Sequence, residues 1–185
     1  MRAPRSDAEH NRARILEVAR AALAASGDAT LSSIARQASV GQGTMYRHFP
    51  NREALLLAVY RQDVEALVDA VPALLETYPP FEALQLWFAR LASYGRVKYG
   101  LADAFEAATR AGLSSEYYGR VTGAIALLLG ACQRTGEVRP DVDADEVLLL
   151  VSFLWRMHND DAQQRARHLL ALVLDGLRPP RNLDC

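Results

Sequence analysis

The sequence predicts an all-α protein of about nine helices, a helix-turn-helix head followed by a helical body. Three observations predict it. Apolar residues recur three and four positions apart along most of the chain; half of its 185 residues are hydrophobic, with the helix formers Ala, Leu, Arg and Glu prominent; and no segment alternates apolar and polar residues long enough to make a strand.

Predicted helix 1 runs from Asp7 to Ser26, with Ile15, Val18, Ala19, Ala22 and Leu23 on one face and Arg12, Arg14, Glu17 and Arg20 on the other. Gly27 is its stop. Helix 2 spans Leu31 to Ala38, with Thr30 as candidate N-cap and Ile34 and Ala38 turned inward. After the break Ser39-Val40-Gly41, helix 3 covers Gln42 to His48 and ends there because Pro50 pushes Phe49 out of the helical region. Asn51 caps helix 4, whose apolar Leu55, Leu56, Val59 and Leu67 carry it towards Val71. Pro72 lacks an amide hydrogen and is expected to kink or end that helix.

Tyr78-Pro79-Pro80 reads as a linker. Helix 5 is expected from Phe81 to about Lys98, helix 6 from Leu101 to Thr109 and helix 7 from Ser115 to about Thr135. The loop 136–141 follows, and Asp143 with Glu146 three residues on forms a variant capping box that starts helix 8, expected to reach Met157. Helix 9 runs from Ala162 to Leu177, ahead of Pro179-Pro180.

Charge divides the chain more sharply than its net value of −1 suggests: residues 1–52 hold eight arginines against four acids, and the remainder holds 13 basic and 18 acidic residues. A basic head on an acidic body points the head towards a polyanion. The two cysteines, Cys132 and Cys185, make neither a disulfide framework nor a C-x-x-C site, which fits a reducing cytoplasm. The N-terminus lacks the apolar core of a signal peptide, and the uncharged run Val147 to Trp155 is less than half of the ~20 residues that span a bilayer. Cytoplasmic localisation without membrane association is expected, as is the absence of any cofactor. An enzyme on a helical bundle has little support: there is no H-E-x-x-H, no E-x-x-H pair and no glycine-rich phosphate loop, and His10, His48, His158 and His168 show no ligand spacing.

Helices 2 and 3, joined by a tight turn and braced by helix 1, have the lengths of a helix-turn-helix whose second helix enters a major groove. The string Thr30-Leu-Ser-Ser-Ile-Ala-Arg-Gln-Ala-Ser-Val-Gly-Gln-Gly-Thr-Met-Tyr-Arg-His-Phe-Pro-Asn-Arg-Glu-Ala-Leu55 resembles the DNA-binding domain of the TetR family of repressors, directly over about residues 10–57 and beyond that only in helical layout. The resemblance implies a sequence-specific transcriptional regulator, with an N-terminal arm and DNA-binding domain in residues 1–52 and a ligand-binding and dimerisation domain in residues 53–185.

The residues fit that chemistry one by one. Gln42 has an amide that donates and accepts at a base edge, and Gly43 lets the backbone approach closely. Thr44 offers a hydroxyl to phosphate or a methyl to thymine. Tyr46 and His48 match positions where family members bond phosphates, while Arg47 suits either a phosphate or a bidentate pair with guanine. Arg52 opens helix 4, where free amides and a guanidinium attract an anion. Thr30 and Ser32 stand where they grip phosphate across the groove, Thr30 serving equally as a plain helix cap. Met45, Ile34, Val40 and Phe49 are expected in the core. Two positions depart from the family pattern: Ser39 stands where a turn glycine is usual, costing about 1 kcal/mol if its φ is positive, and Gly41 replaces the usual Ser or Thr cap. Arg2 and Arg5 form an arm that suits a minor groove or has no role.

Helices 8 and 9 are apolar over more than one face, so a second chain is their economical cover. A homodimer through helices 8 and 9 is expected, placing two recognition helices about 34–36 Å apart on a near-palindromic double-stranded operator. Trp87, Arg90, Tyr94, Phe105, Tyr117 and Trp155 are read either as core filling or as the lining of a pocket for a small-molecule effector. The expected function is a repressor released by that effector, the alternative being a DNA-binding repressor without one.

Overall fold

Local capping sets several of the helix ends in the computed structural model, which describes residues 4–25, 29–95, 113–155 and 162–180. The described residues form α1 (Pro4–Ala25), α2 (Leu31–Gln37), α3 (Gln42–His48), α4 (Arg52–Thr77), α5 (Pro80–Gly95), α6 (Leu113–Arg134), α7 (Ala144–Leu150), a 3-10 turn (Val151–Trp155) and α8 (Ala162–Gly176), with no strand among them. Predicted helix 6 and the end of predicted helix 5 lie outside the described residues, so α6, α7 and α8 answer to the seventh, eighth and ninth predicted helices.

The capping boxes form as chemistry requires. Thr30 Oγ1 accepts from Ser33 N and Ser33 Oγ accepts from Thr30 N, both at 3.1 Å; Asp143 Oδ1 accepts from Glu146 N at 2.8 Å while Glu146 Oε2 accepts from Asp143 N at 3.1 Å. Asn51 Oδ1 takes the Ala54 amide at 2.8 Å. Each box satisfies two amides that a helix start leaves orphaned. At the other end, α2 and α6 close with the same pair of bonds. Val40 N donates to Ala35 O and Ser39 N to Arg36 O after α2; Glu137 N donates to Cys132 O and Gly136 N to Gln133 O after α6. This double closure needs a left-handed residue, and Ser39 (φ 53°) and Gly136 (φ 72°) supply it.

Three expectations change. α4 does not end at Pro72 but continues to Thr77. A proline inside a helix costs about 3 kcal/mol, and burial of Val71 and Leu74 on either side, at about 1.5–3 kcal/mol each, offsets it while the proline ring faces solvent. The linker shrinks to Tyr78-Pro79, because Pro80 is the first residue of α5 and Ala83 N donates to Pro79 O at 2.9 Å; a proline costs nothing where the amide would be unpaired. Predicted helix 8 is α-helical only to Leu150 and then tightens into the 3-10 turn.

Packing divides the chain into two compact units, the first running to Asp63 and the second formed by Val64–Gly95 and by the chain from Ser115 on, so the division falls inside α4. The first has one core: Ile15, Leu16, Ala19 and Leu23 of α1, Ile34, Ala35 and Ala38, Met45, Phe49, and Leu55, Leu56 and Val59 of α4. Its buried charge is Asp63, paired with Arg20 Nε of α1 at 3.0 Å. Burial raises the Asp63 carboxyl to about 6, although Arg20 pulls the other way. In the second unit α5 packs on α8 and the 3-10 turn, and Trp87 Nε1 donates to Leu67 O of α4 at 2.9 Å. Cys132 lies buried there, its thiol pushed up to about 11 chiefly by burial, as suits a packing residue. No helix of the described residues is long and apolar enough to cross a membrane.

Candidate nucleic-acid interface

The short helix α3 is held by one side chain. Met45 is fully buried in the first unit's core, and Phe49, the C-cap, donates its amide to Met45 O and is itself buried. At about 100° per residue, every other position of α3 is then fixed relative to Met45. Gly43 and Arg47 fall roughly 160° round the helix from it, on the outermost stripe. Tyr46 and Thr44 lie roughly 100° away on opposite flanks, and Gln42 and His48 roughly 60° away. Burial follows this order except at the first residue of the helix: Gly43 and Arg47 are exposed, Tyr46 is 49% exposed, and Thr44 and His48 are half-buried, while Gln42 is exposed despite its angle. The helix therefore presents a ridge of one glycine and one arginine with hydrogen-bonding groups on both shoulders.

Gly43 is the informative residue of that ridge. Its φ is not positive and a Cβ built on it meets nothing within 4 Å. Nothing among the described residues requires glycine there, yet glycine weakens a helix by about 0.5–1 kcal/mol relative to alanine. The helix is already poorly started, since Gly41 makes no side-chain cap bond. A side chain is missing at the crest of the exposed face, where only an outside surface benefits.

Arg47 is not loose. Its Nε donates to Gly43 O at 3.1 Å and its Nη2 to Thr44 Oγ1 at 3.2 Å. Around the helix, Thr30 spends its hydroxyl oxygen on the α2 cap, Ser32 is exposed, and Arg52 Nη1 donates to Ala29 O ahead of α2. Thr30 and Arg52 thus brace the α2 entrance within the chain. Residues that the sequence reading missed complete the frame. Arg14 Nη2 reaches Ser39 O at 3.4 Å and Asn11 Oδ1 at 3.1 Å, its guanidinium on the strained turn before α3, and the Arg12 guanidinium sits 5.6 Å from the Phe49 ring centre. Arg12 and Arg14 were legible only as the polar face of helix 1, because their partners come from elsewhere in the chain.

Of the residues read as a pocket, the side chains of three are described. Trp87 is fully buried with its indole N–H engaged by Leu67, and Tyr117 is buried, whereas Arg90 is exposed. The side chains of Tyr94 and Trp155 and the whole of Phe105 lie outside the described residues. Among the described residues no group of His, Cys, Asp or Glu is placed to hold a metal ion.

Residues 15–59 match the family model described as bacterial regulatory proteins, tetR family, and residues 79–179 match that of the C-terminal domain of SbtR-like transcriptional regulators. Among solved structures, a TetR transcriptional regulator of Streptomyces coelicolor is 39% identical, with a TM-score of 0.79 over 91% of this chain and 99% of that one. A TetR regulatory protein of Mycobacterium vanbaalenii is 35% identical, with a TM-score of 0.72 over 95% and 99%. An HTH-type transcriptional regulator of Staphylococcus aureus is 29% identical over 85 residues, a stretch that spans 44% of this chain and 46% of the relative's own length.

Proposed function

The chain belongs to the TetR family of bacterial transcriptional regulators, and from that membership we propose that it is a homodimeric repressor that binds operator DNA through α3 and releases it when a small molecule enters the second unit. The observation that carries the DNA-binding part is the ridge of α3 opposite Met45, where Gly43 leaves room for base edges and Tyr46, Thr44 and His48 flank it at the height of the groove walls. The surplus of arginine in the first 52 residues supplies the attraction to phosphate.

Dimerisation through α7 and α8 is supported by the leucines they leave in water: Leu149 is 74%, Leu150 53% and Leu172 55% exposed. A second copy covers such a surface most economically, and its two-fold symmetry gives a near-palindromic operator. Release by an effector draws on the buried aromatics Trp87, Phe88 and Tyr117 of the second unit, surface of the kind small-molecule sites use. Binding that favours one arrangement of the paired heads then shifts the population away from the one that fits DNA. A repressor without an effector is favoured by one observation, the Trp87 N–H already engaged by Leu67. A thermal-shift screen separates the two, since a ligand of the folded state raises the melting temperature with its concentration.

The test of the main reading is selection of bound duplexes from a random pool, with sedimentation equilibrium of the same preparation. A palindromic consensus and a dimer are expected. A monomer that prefers no duplex over bulk DNA at moderate salt overturns it.

A further inference from the structure

We propose that Arg47 selects a guanine in each half of the operator, donating from the outer edge of its guanidinium to O6 and N7, with Thr44 as the positioning residue that aims it. The proposal rests on α3 being the operator-reading helix and adds which base pair it selects. Three observations lead to it.

The first is position. Arg47 shares the crest of α3 with Gly43, roughly 160° from the buried Met45, so in a major groove it faces the floor, where bases are exposed, and not the walls, where phosphates are. The flanking Tyr46 and Thr44 are better placed for the walls. The second is the missing side chain at Gly43, one turn before Arg47, with nothing within 4 Å of where a Cβ would stand. The helix can settle close enough for a side chain lying along its surface to touch base edges.

The third is the hydrogen bonding of Arg47 itself. A guanidinium has two edges that present paired parallel donors, one formed by Nε and Nη2 and the other by Nη1 and Nη2. Gly43 O and Thr44 Oγ1 take the first edge. Its own helix therefore holds the plane of the group, and the second edge meets no hydrogen-bond partner among the described residues. Holding the fork in advance lowers the ordering cost of recognition. In the major groove only guanine offers two adjacent acceptors, whereas adenine pairs an acceptor with a donor, cytosine offers a donor, and thymine a single acceptor beside a methyl.

The experiment is selection from a random duplex pool, followed by affinity and salt-dependence measurements, with the full-length chain and its Arg47→Ala, Arg47→Lys and Thr44→Val variants. The wild type is expected to enrich guanine at one position of each half-site. Arg47→Ala and Arg47→Lys should each lose roughly tenfold or more of the preference for guanine at that position, with Arg47→Lys keeping the salt slope because it keeps the charge. Thr44→Val, which retains the shape of the side chain without its acceptor, should keep the same consensus with weaker guanine preference. If Arg47→Ala weakens binding to all sequences alike and flattens the salt slope by about one charge, Arg47 sits on a phosphate and the proposal is overturned. Unchanged guanine preference in both Arg47 variants overturns it as well, and a Thr44→Val protein identical to wild type removes the positioning role. All of these outcomes presuppose a wild-type consensus; its absence sinks the operator-binding reading itself and is recognised separately.

Discussion

Replacing Gly43 by alanine separates what the fold wants from what DNA binding wants. The alanine Cβ meets no atom within 4 Å and no positive φ stands in its way, so the folded chain accepts it and gains helix propensity, about 0.5–1 kcal/mol. For a chain of this length that is a rise in Tm of roughly 1–4 °C. On the outer face the same methyl group intrudes between α3 and the base pairs. Overpacking of a close interface costs about 1–3 kcal/mol, which is roughly 5- to 150-fold in Kd. Thermal unfolding followed by circular dichroism and fluorescence anisotropy against a selected operator measure the two effects. A stabilised protein that binds its operator as tightly as wild type would show that no DNA approaches the crest of α3. A destabilised one would show that glycine serves an internal purpose there.

Ser39→Gly should stabilise the chain by ~0.5–1 kcal/mol, since it relieves the left-handed strain at φ 53° against the extra freedom of glycine when unfolded; a lower Tm would mean that the serine side chain supports the turn. Asp63 gives a pH signature. Its carboxyl is raised from 3.8 to about 6 in the folded chain, so the stability it contributes is fully present below about pH 4 and is lost as pH rises through about 6. By linkage the loss is at most about 3 kcal/mol. Asp63→Asn should therefore gain on wild type in melts run from pH 4 to 8, and parallel curves for the two proteins would count against burial as the dominant influence. Charging the exposed leucines, as in a Leu149→Arg, Leu172→Arg double variant, should shift sedimentation from dimer to monomer and weaken operator binding, with little change in helicity; a stable dimer would place the interface elsewhere.

The starts of α2, α4 and α7 were legible because their signals are local: Thr30, Asn51 and the Asp143–Glu146 box act within three residues of themselves. The crest of α3 was legible too, as a polar and aromatic cluster that apolar packing does not account for. Contacts between elements were not. Arg14 on the Ser39 carbonyl and Arg20 on Asp63 join residues 25 and 43 positions apart, and a side chain on the polar face of a helix does not announce its partner. Asp63 did leave a trace, since it stands four residues from both Val59 and Leu67 on a stripe that is otherwise apolar, where a carboxylate calls for a cation. Pro72 misled for the opposite reason: its local cost is large, and only the tertiary burial of its neighbours outweighs it.

Both tryptophans of the chain, Trp87 and Trp155, fall in the second unit, and the first has none. Trp87 is shut off from water and meets Phe88 edge-on at 5.4 Å. Intrinsic indole emission is therefore blind to the part of the molecule that would touch DNA. Denaturation monitored by that emission and by backbone ellipticity should superimpose only if the two units melt as one cooperative block. A gap between the two curves would measure directly how independently the reading head comes apart.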